Sequence, residues 1–358
     1  MTANNSPPSP VSSLESPQLF VFESTDDERD AAEDLAANLG ELGVSAPFVV
    51  GSIHGMKLAA QLVPAQTAIT PPPGATTHFA TELGSRIRRS GADAVVAVGG
   101  GRVLDVAKLA AARAGLTVIA VPTQLSHDGI CSPVAVVPDE SGASQSLGAI
   151  APRVVYLSMP TLVDAPVASV RAGLGDLMAN PLALRDWALA TNRGLAAMDQ
   201  RAWDLSARSF EMIQSYLARD ASEVAGDPVF LRHLADALVL SGMSMIISGT
   251  SRPASGGEHE ISHAIDAIFG GRALHGAQVA FGCIFSVALY EDDVTAFRRQ
   301  LERVGLPHHP RQLRLSADDV VRVLLEAPET RPGRFTVIED ADLDEASAQR
   351  LVGRIWGE

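Results

Sequence analysis

The sequence predicts an α/β N-terminal domain built on a parallel sheet, followed by an all-α C-terminal domain. Three observations predict it. Short apolar runs alternate with helix-period segments as far as about residue 160, the pattern of parallel strands joined by crossover helices. Beyond Pro160 the strand runs stop and helical patterns continue alone. A chain of 358 residues is also longer than one core usually grows, so two domains are expected.

Residues 1–17 are rich in Ser, Pro and Asn with few large apolar groups, and read as a disordered tail. Leu19-Phe20-Val21-Phe22 then suits a buried strand. Asp26 to Leu42 carries Ala, Leu and acidic residues at helical spacing, with Ser24 and Thr25 as possible caps. Pro47 to Gly51 is the next strand, a helix near Gly55 to Leu62 follows, and Thr67-Ala68-Ile69 precedes the breaker Pro71-Pro72-Pro73-Gly74. A helical pattern from His78 to Arg89 leads to Ala94-Val95-Val96-Ala97-Val98, the clearest buried strand in the chain.

The domain boundary is expected between Pro152 and Pro160, giving an α/β domain over 18–155 and a helical domain over 156–358. In the latter, helices are predicted over Ala183 to Arg193, Gln200 to Leu217, Pro228 to Gly249, Gly256 to Ile268 and Gly276 to Leu289. Asp293 to Val304, Ser316 to Ala327 and a docked Ala346 to Trp356 segment complete it.

Composition excludes several classes. At 46% hydrophobic and 20% charged residues the chain is globular. Its 28 Lys plus Arg against 42 Asp plus Glu, a formal net charge of −14, argue against nucleic-acid or membrane-surface binding. Cys131 and Cys283 lie far apart in apolar surroundings, so they read as buried small hydrophobes and not as a disulfide framework or a CxxC metal site. The N-terminus lacks a charged n-region followed by an apolar run, and no uninterrupted apolar stretch reaches membrane-spanning length. A cytoplasmic location is the expectation.

Two constellations carry chemistry. In Val95 to Lys108 a strand runs into Gly99-Gly100-Gly101 and then into an amphipathic helix. Glycines let backbone N–H groups approach phosphate oxygens, and the helix N-terminus adds its positive end. Asp105 is expected in the first helical turn, favoured by the dipole or anchoring the loop. The competing reading is a tight left-handed turn, and the spacing is not GxGxxG. The next strand ends at Pro122-Thr123-Gln124-Leu125-Ser126-His127-Asp128-Gly129, which belongs beside the glycine turn at the carboxyl ends of the strands. Thr123 and Ser126 can donate to a nucleotide and Asp128 can accept from a substrate hydroxyl; the alternative is an Asx-type turn.

The second constellation is Glu258-His259-Glu260-Ile261-Ser262-His263, followed by His275-Gly276. His259 and His263 share a helix face, and a short loop at Gly270-Gly271 can return His275 beside His259. Gly173-Leu174-Gly175-Asp176 places a carboxylate, expected at a helix start, where a simple cap is the alternative. With His259 and His275, Asp176 makes one carboxylate and two imidazoles. Three protein ligands and an open position describe a catalytic metal site, and helix-face histidines satisfied by neighbours are the alternative.

Together GGGRVLDVAK, PTQLSHDGICSP, GLGDLMA, SRPASGGEHEISHAID and LHGAQVAFG make the chain resemble the sn-glycerol-1-phosphate dehydrogenases, over about Val95 to Val287. These belong to the superfamily of glycerol dehydrogenase, iron-containing alcohol dehydrogenases and 3-dehydroquinate synthase. The resemblance implies a dehydroquinate synthase-like fold, a dinucleotide-binding α/β domain with a helical domain, and metal and substrate in the cleft between them. It implies that Gly99, Gly100, Gly101 and Asp105 hold NAD or NADP, with Thr123 and Ser126 nearby. Asp128 would face the substrate hydroxyls. Asp176, His259 and His275 would bind one divalent metal, zinc before nickel or iron, and His263 would serve as a proton relay.

The implied reaction interconverts dihydroxyacetone phosphate and glycerol 1-phosphate, or a related small polyol or keto phosphate, in a homo-oligomer. A cyclase reaction with catalytic NAD, as in 3-dehydroquinate synthase, and a non-catalytic homologue are the alternatives. Relatives carry a lysine where this chain has Asn180. If that ammonium binds phosphate, its loss leaves Lys108, Arg252 and Arg102 as anion partners.

Overall fold

The computed structural model describes residues 17–24, 28–59, 67–142 and 144–357. The expected tail, apart from its last residue, and the possible cap Thr25 lie outside these residues.

The N-terminal part alternates strand and helix as expected. Its elements are β1 (Gln18–Phe22), α1 (Glu28–Glu41), β2 (Pro47–Gly51), α2 (Gly55–Ala59), β3 (Ala68–Ile69), α3 (Thr77–Ser90), β4 (Ala94–Gly99), α4 (Gly101–Ala114), β5 (Thr117–Pro122), β6 (Val134–Pro138), β7 (Ser144–Gly148) and β8 (Val154–Ser158). Six of the strands form one sheet in the order β1-β8-β5-β4-β2-β3, and each of its pairings is parallel. The central strand β4 shows why its sequence is continuously apolar. Val95 and Ala97 enter one core with Leu83, Ile87 and Leu104 of α3 and α4. Ala94, Val96 and Val98 enter a second core with Ala31 and Leu35 of α1 and Leu58 of α2. Side chains alternate between faces, and both faces are covered.

Two features depart from expectation. Strand β8 is the second member of the sheet and continues to Ser158, so a boundary at 155/156 divides a strand. The antiparallel hairpin β6–β7 has no clear signal in the sequence, because β7 is SQSLG and mostly exposed.

The remainder is helical: α5 (Met159–Val163), α6 (Val167–Leu177), α7 (Asn180–Asn192), α8 (Gln200–Gln214), α9 (Pro228–Ser248), α10 (Gly257–Phe269), α11 (His275–Leu289), α12 (Val294–Val304), α13 (Ala317–Glu326), α14 (Val337–Ala341) and α15 (Glu345–Trp356). Local chemistry sets many starts. The side chains of Asp199, Asp227, Ser316 and Asp344 accept backbone N–H groups in the first turns of α8, α9, α13 and α15. Pro181 sits in the first turn of α7, where its missing N–H costs nothing. The C-terminal α15 is docked, with Trp356 stacked 6.0 Å from Phe281. Among the described residues α9 is the helix long and apolar enough to cross a membrane, but 67% of its apolar window is buried inside the protein. That burial is what a core helix shows.

Glycines decide how closely α6, α10 and α11 meet. A Cβ on Gly175 would lie 2.4 Å from the Gly276 carbonyl oxygen, and one on Gly276 would lie 1.9 Å from that of Ala172. A Cβ on Gly282 would stand 2.3 Å from the Glu258 carbonyl oxygen, and one on Gly173 would stand 2.3 Å from that of Leu125. Backbone therefore touches backbone at both helix crossings, and at the loop after β5. These contacts bring three distant segments to one point.

Candidate metal centre and active site

Asp176, His259 and His275 converge where those helices cross. Their ligand atoms all lie within 4.8 Å of one another. His259 Nε2 and His275 Nε2 each stand 3.8 Å from Asp176 Oδ1. That is too long for a hydrogen bond and close to the roughly 3.3–3.5 Å that tetrahedral bond lengths give two ligands on one zinc-sized ion. Asp176 Oδ1 is buried with no hydrogen-bond partner, while Oδ2 accepts the Asp128 N–H at 2.9 Å. An orphaned, buried carboxylate oxygen facing two imidazole nitrogens is a set of residues that fits a divalent cation.

The electrostatics agree. Burial pushes the Asp176 carboxyl well above its usual range, and the Asp128 and Glu258 charges push it further; a cation would reverse that. Burial holds His259 and His275 well below the usual imidazole value, so their lone pairs are available as ligands need. His259 Nδ1 lies 3.0 Å from Glu258 Oε1, and that oxygen also accepts the Gly256 N–H at 2.6 Å. Donation from Nδ1 to Glu258 aims the Nε2 lone pair at Asp176, the usual support for a metal-binding histidine.

Asp176 does not start a helix as expected. It lies in the last turn of α6, held in place by the Gly175–Gly276 contact and not by capping. His263 is one turn beyond His259 on α10, stacked on His275 with ring centroids 6.3 Å apart, and Arg331 Nε lies 3.4 Å from its Nδ1. Burial, then Arg331, keep the His263 ring neutral. With Nδ1 facing the guanidinium N–H, its proton sits on Nε2. Asp128 accepts from the Ser241 hydroxyl at 2.8 Å through Oδ2, and burial lifts its carboxyl to about 6.

The glycine turn stands at the carboxyl ends of the strands. Gly100 caps α4 with φ −78° and ψ 177°, and Gly99, Gly100 and Gly101 all lack positive φ. A tight left-handed turn is therefore not their role. A Cβ on Gly100 would meet the Gln124 amide nitrogen at 2.2 Å, and one on Gly101 would meet His127 Nε2 at 1.9 Å. The Thr123 N–H donates to the Gly99 carbonyl at 3.0 Å, which joins the two loops, and Ser126 is 7% exposed within the second. Asp105 sits in the second turn of α4, not the first. Its carboxylate pairs with Lys108 at 2.9 Å and accepts the Val136 N–H at 3.1 Å, so it anchors β6.

Sequence reasoning missed His127, although it lies between two residues it singled out. Its ring stands edge-on to His275 at 5.7 Å and its Nδ1 accepts the Gly129 N–H at 2.9 Å. It links the glycine turn to the carboxylate–imidazole trio. Asn180 donates to Ser209 Oγ at 2.7 Å and Ser241 Oγ at 3.1 Å, one hydrogen bond behind Asp128. Lys108 is fully buried, and its ammonium is spent on Asp105 and the carbonyls of Gly129 and Val134. It is not an anion partner.

A parallel-sheet domain with a glycine turn, facing helices that present this trio, defines the class: an alcohol dehydrogenase-type oxidoreductase fold. Residues 29–166 match the sequence model of the family described as iron-containing alcohol dehydrogenase. The fold matches a crystal structure of a probable glycerol dehydrogenase from Sinorhizobium meliloti, with TM-score 0.75, 20% identity, and 96% and 97% of the two chains covered. It also matches sulfoacetaldehyde reductase from Bifidobacterium kashiwanohense in complex with NAD+, with TM-score 0.67, 12% identity, and 95% and 97% covered. Among curated relatives, glycerol-1-phosphate dehydrogenase [NAD(P)+] of Methanospirillum hungatei is 38% identical over 75% of this chain and 74% of its own. That of Hyperthermus butylicus is 36% identical over 79% and 80%, and that of Methanoculleus marisnigri 34% over 91% and 89%. The chain belongs to the glycerol-1-phosphate dehydrogenase family.

Proposed function

We propose that the protein is a glycerol-1-phosphate dehydrogenase that uses NAD(P) and one divalent metal to interconvert dihydroxyacetone phosphate and glycerol 1-phosphate. The observation that carries this is the convergence of Asp176, His259 and His275 beside His263, in a chain of that family. The relatives reported above are dehydrogenases, so the cyclase reading has no support among them. Cys131 and Cys283 are both free and buried, which fits a reducing compartment such as the cytoplasm. Homo-oligomeric assembly completes the proposal, on the resemblance alone.

Asp176, His259 and His275 would hold the metal, zinc first among zinc, nickel and iron. Gly99, Gly100 and Gly101, with Thr123 and Ser126 beside them, would hold the dinucleotide at the strand ends; Asp105 serves that loop by anchoring β6 beneath it. When bound, the cation supplies electrophilic polarisation of the substrate oxygen, and the dinucleotide supplies the hydride. The chain's own residues do the rest. Asp128 accepts from a substrate hydroxyl through the oxygen that Ser241 does not engage. His263 keeps a proton at Nε2 for the alcohol oxygen, replenished from solvent. Arg331 against Nδ1 fixes that tautomer.

The deciding experiment incubates metal-loaded protein with dihydroxyacetone phosphate and NADH or NADPH. Steady, stoichiometric oxidation of the dinucleotide is expected with at least one of them; none with either overturns the reading. A second outcome concerns the glycine turn. Gly100→Val should displace Gln124 and weaken dinucleotide binding about tenfold or more, with metal content retained. A dissociation constant equal to wild type, measured by fluorescence titration, would remove the turn from the cofactor site.

A further inference from the structure

Three guanidiniums gather beside the trio, and among the described residues none is ion-paired with a carboxylate. Arg331 and Arg334 lie on the strap between α13 and α14, and Arg252 lies in the turn before α10. Arg331 Nη1 donates to Ser251 Oγ at 3.0 Å and to Ser255 Oγ at 2.9 Å. Arg334 Nη2 donates to the same Ser251 Oγ at 2.7 Å, and its Nη1 to the Ser255 carbonyl at 2.7 Å. Arg252 Nη1 reaches the Phe335 carbonyl at 3.2 Å. Across the cleft, Ser146 of β7 stands 3.4 Å from Arg331 Nη2.

Elsewhere, arginines such as Arg171, Arg185, Arg193 and Arg232 pair with carboxylates. Among the described residues, none of Arg252, Arg331 and Arg334 forms such a pair. Two cations instead share one neutral hydroxyl, which compensates neither charge. Burial, then Arg331 and Arg252, bring Arg334 down to about 10. Glu260 and Glu258 act in the opposite sense, but neither is ion-paired with these arginines, and the crowding of positive charge prevails. Planar guanidinium forks flanked by hydroxyl groups are the chemistry that receives a phosphate.

The position is also right. Arg331 touches His263, whose ring stacks on the metal-ligand candidate His275. In dihydroxyacetone phosphate a methylene and an ester oxygen separate the carbonyl carbon from phosphorus. A carbonyl at the trio therefore places the phosphate beyond His263, toward the strap. Asn180, where the resemblance places a lysine, donates to Ser209 and Ser241 and not to this cluster.

We propose that Arg331 and Arg334, with Ser251 and Ser255 and with Arg252 beside them, form the subsite that binds the phosphate group of the substrate. The proposal rests on the dehydrogenase reading for its substrate, but its geometry can be tested separately. Arg331→Gln and Arg334→Gln, each with metal content checked, should lower the ratio of kcat/KM for dihydroxyacetone phosphate to that for dihydroxyacetone about a hundredfold. Arg334→Lys should recover part of that ratio, because it keeps charge but loses the fork. Calorimetric titration of the metal-loaded proteins with inorganic phosphate should show binding to wild type weakened by at least about tenfold in both glutamine variants. Should Arg331→Gln lose metal, Arg334→Gln decides, since Arg334 touches no site histidine. Ratios and phosphate affinities within twofold of wild type in Arg334→Gln would overturn the subsite. Should wild type not reduce dihydroxyacetone phosphate at all, the dehydrogenase reading fails, and the phosphate titration alone decides the subsite.

Discussion

His259→Ala is expected to empty the metal centre and reduce turnover at least a thousandfold, about 4 kcal/mol of transition-state stabilisation. The substitution removes one of the two imidazole nitrogens that stand 3.8 Å from Asp176 Oδ1. It also leaves Glu258 Oε1 with the Gly256 N–H as its remaining described partner. The two ligands left cannot close a site that depends on three. Metal analysis should find less than about a tenth of the wild-type content. His263→Ala separates ligand from relay: metal stays near wild-type content while turnover falls roughly a hundredfold or more, since a positioned acid–base group is worth that much. Full metal content and full activity in His259→Ala would remove the proposed centre.

Gly276→Ala should damage the fold and the site together. The added methyl would stand 1.9 Å from the Ala172 carbonyl oxygen and 3.0 Å from the Asp176 Cβ. Both lie on α6, and a carbonyl in a helix cannot rotate away as a flexible side chain can. α6 and α11 must therefore part, at an expected cost of about 2–4 kcal/mol. Asp176 would move away from His275 with the helix that carries it. Thermal unfolding should begin several degrees earlier, and metal affinity should fall even where the variant is fully folded. Gly40→Ala is the control. Gly40 lies exposed on α1 with nothing within 4 Å of a Cβ, so alanine there should be neutral or slightly stabilising. A Gly276→Ala protein with wild-type melting behaviour and metal content would mean that the close helix crossing does not hold the centre.

The sequence by itself determined the alternation of strand and helix, the extent of eight of the eleven described helices from α5 onward (all but α5, α6 and α14), and the chemistry of the trio. Those are local properties. Apolar period and capping side chains mark an element wherever it later packs, and an imidazole or carboxylate announces its ligand capacity in any fold. Tertiary structure alone decided where these groups stand. Asp176 moved from an expected helix start to a helix end. Gly99, Gly100 and Gly101 became room for Gln124 and His127 instead of a left-handed turn. The β6–β7 hairpin, too polar on one strand to read, proved to be held by Asp105 through Val136. Arg331 and Arg334, which the sequence reading did not single out, lie against His263 and the Ser251–Ser255 turn. In each case the cause is contact between segments far apart in the chain; at Asp176 it is backbone against backbone, which only glycine at 175 and 276 allows. No local window of sequence contains that information.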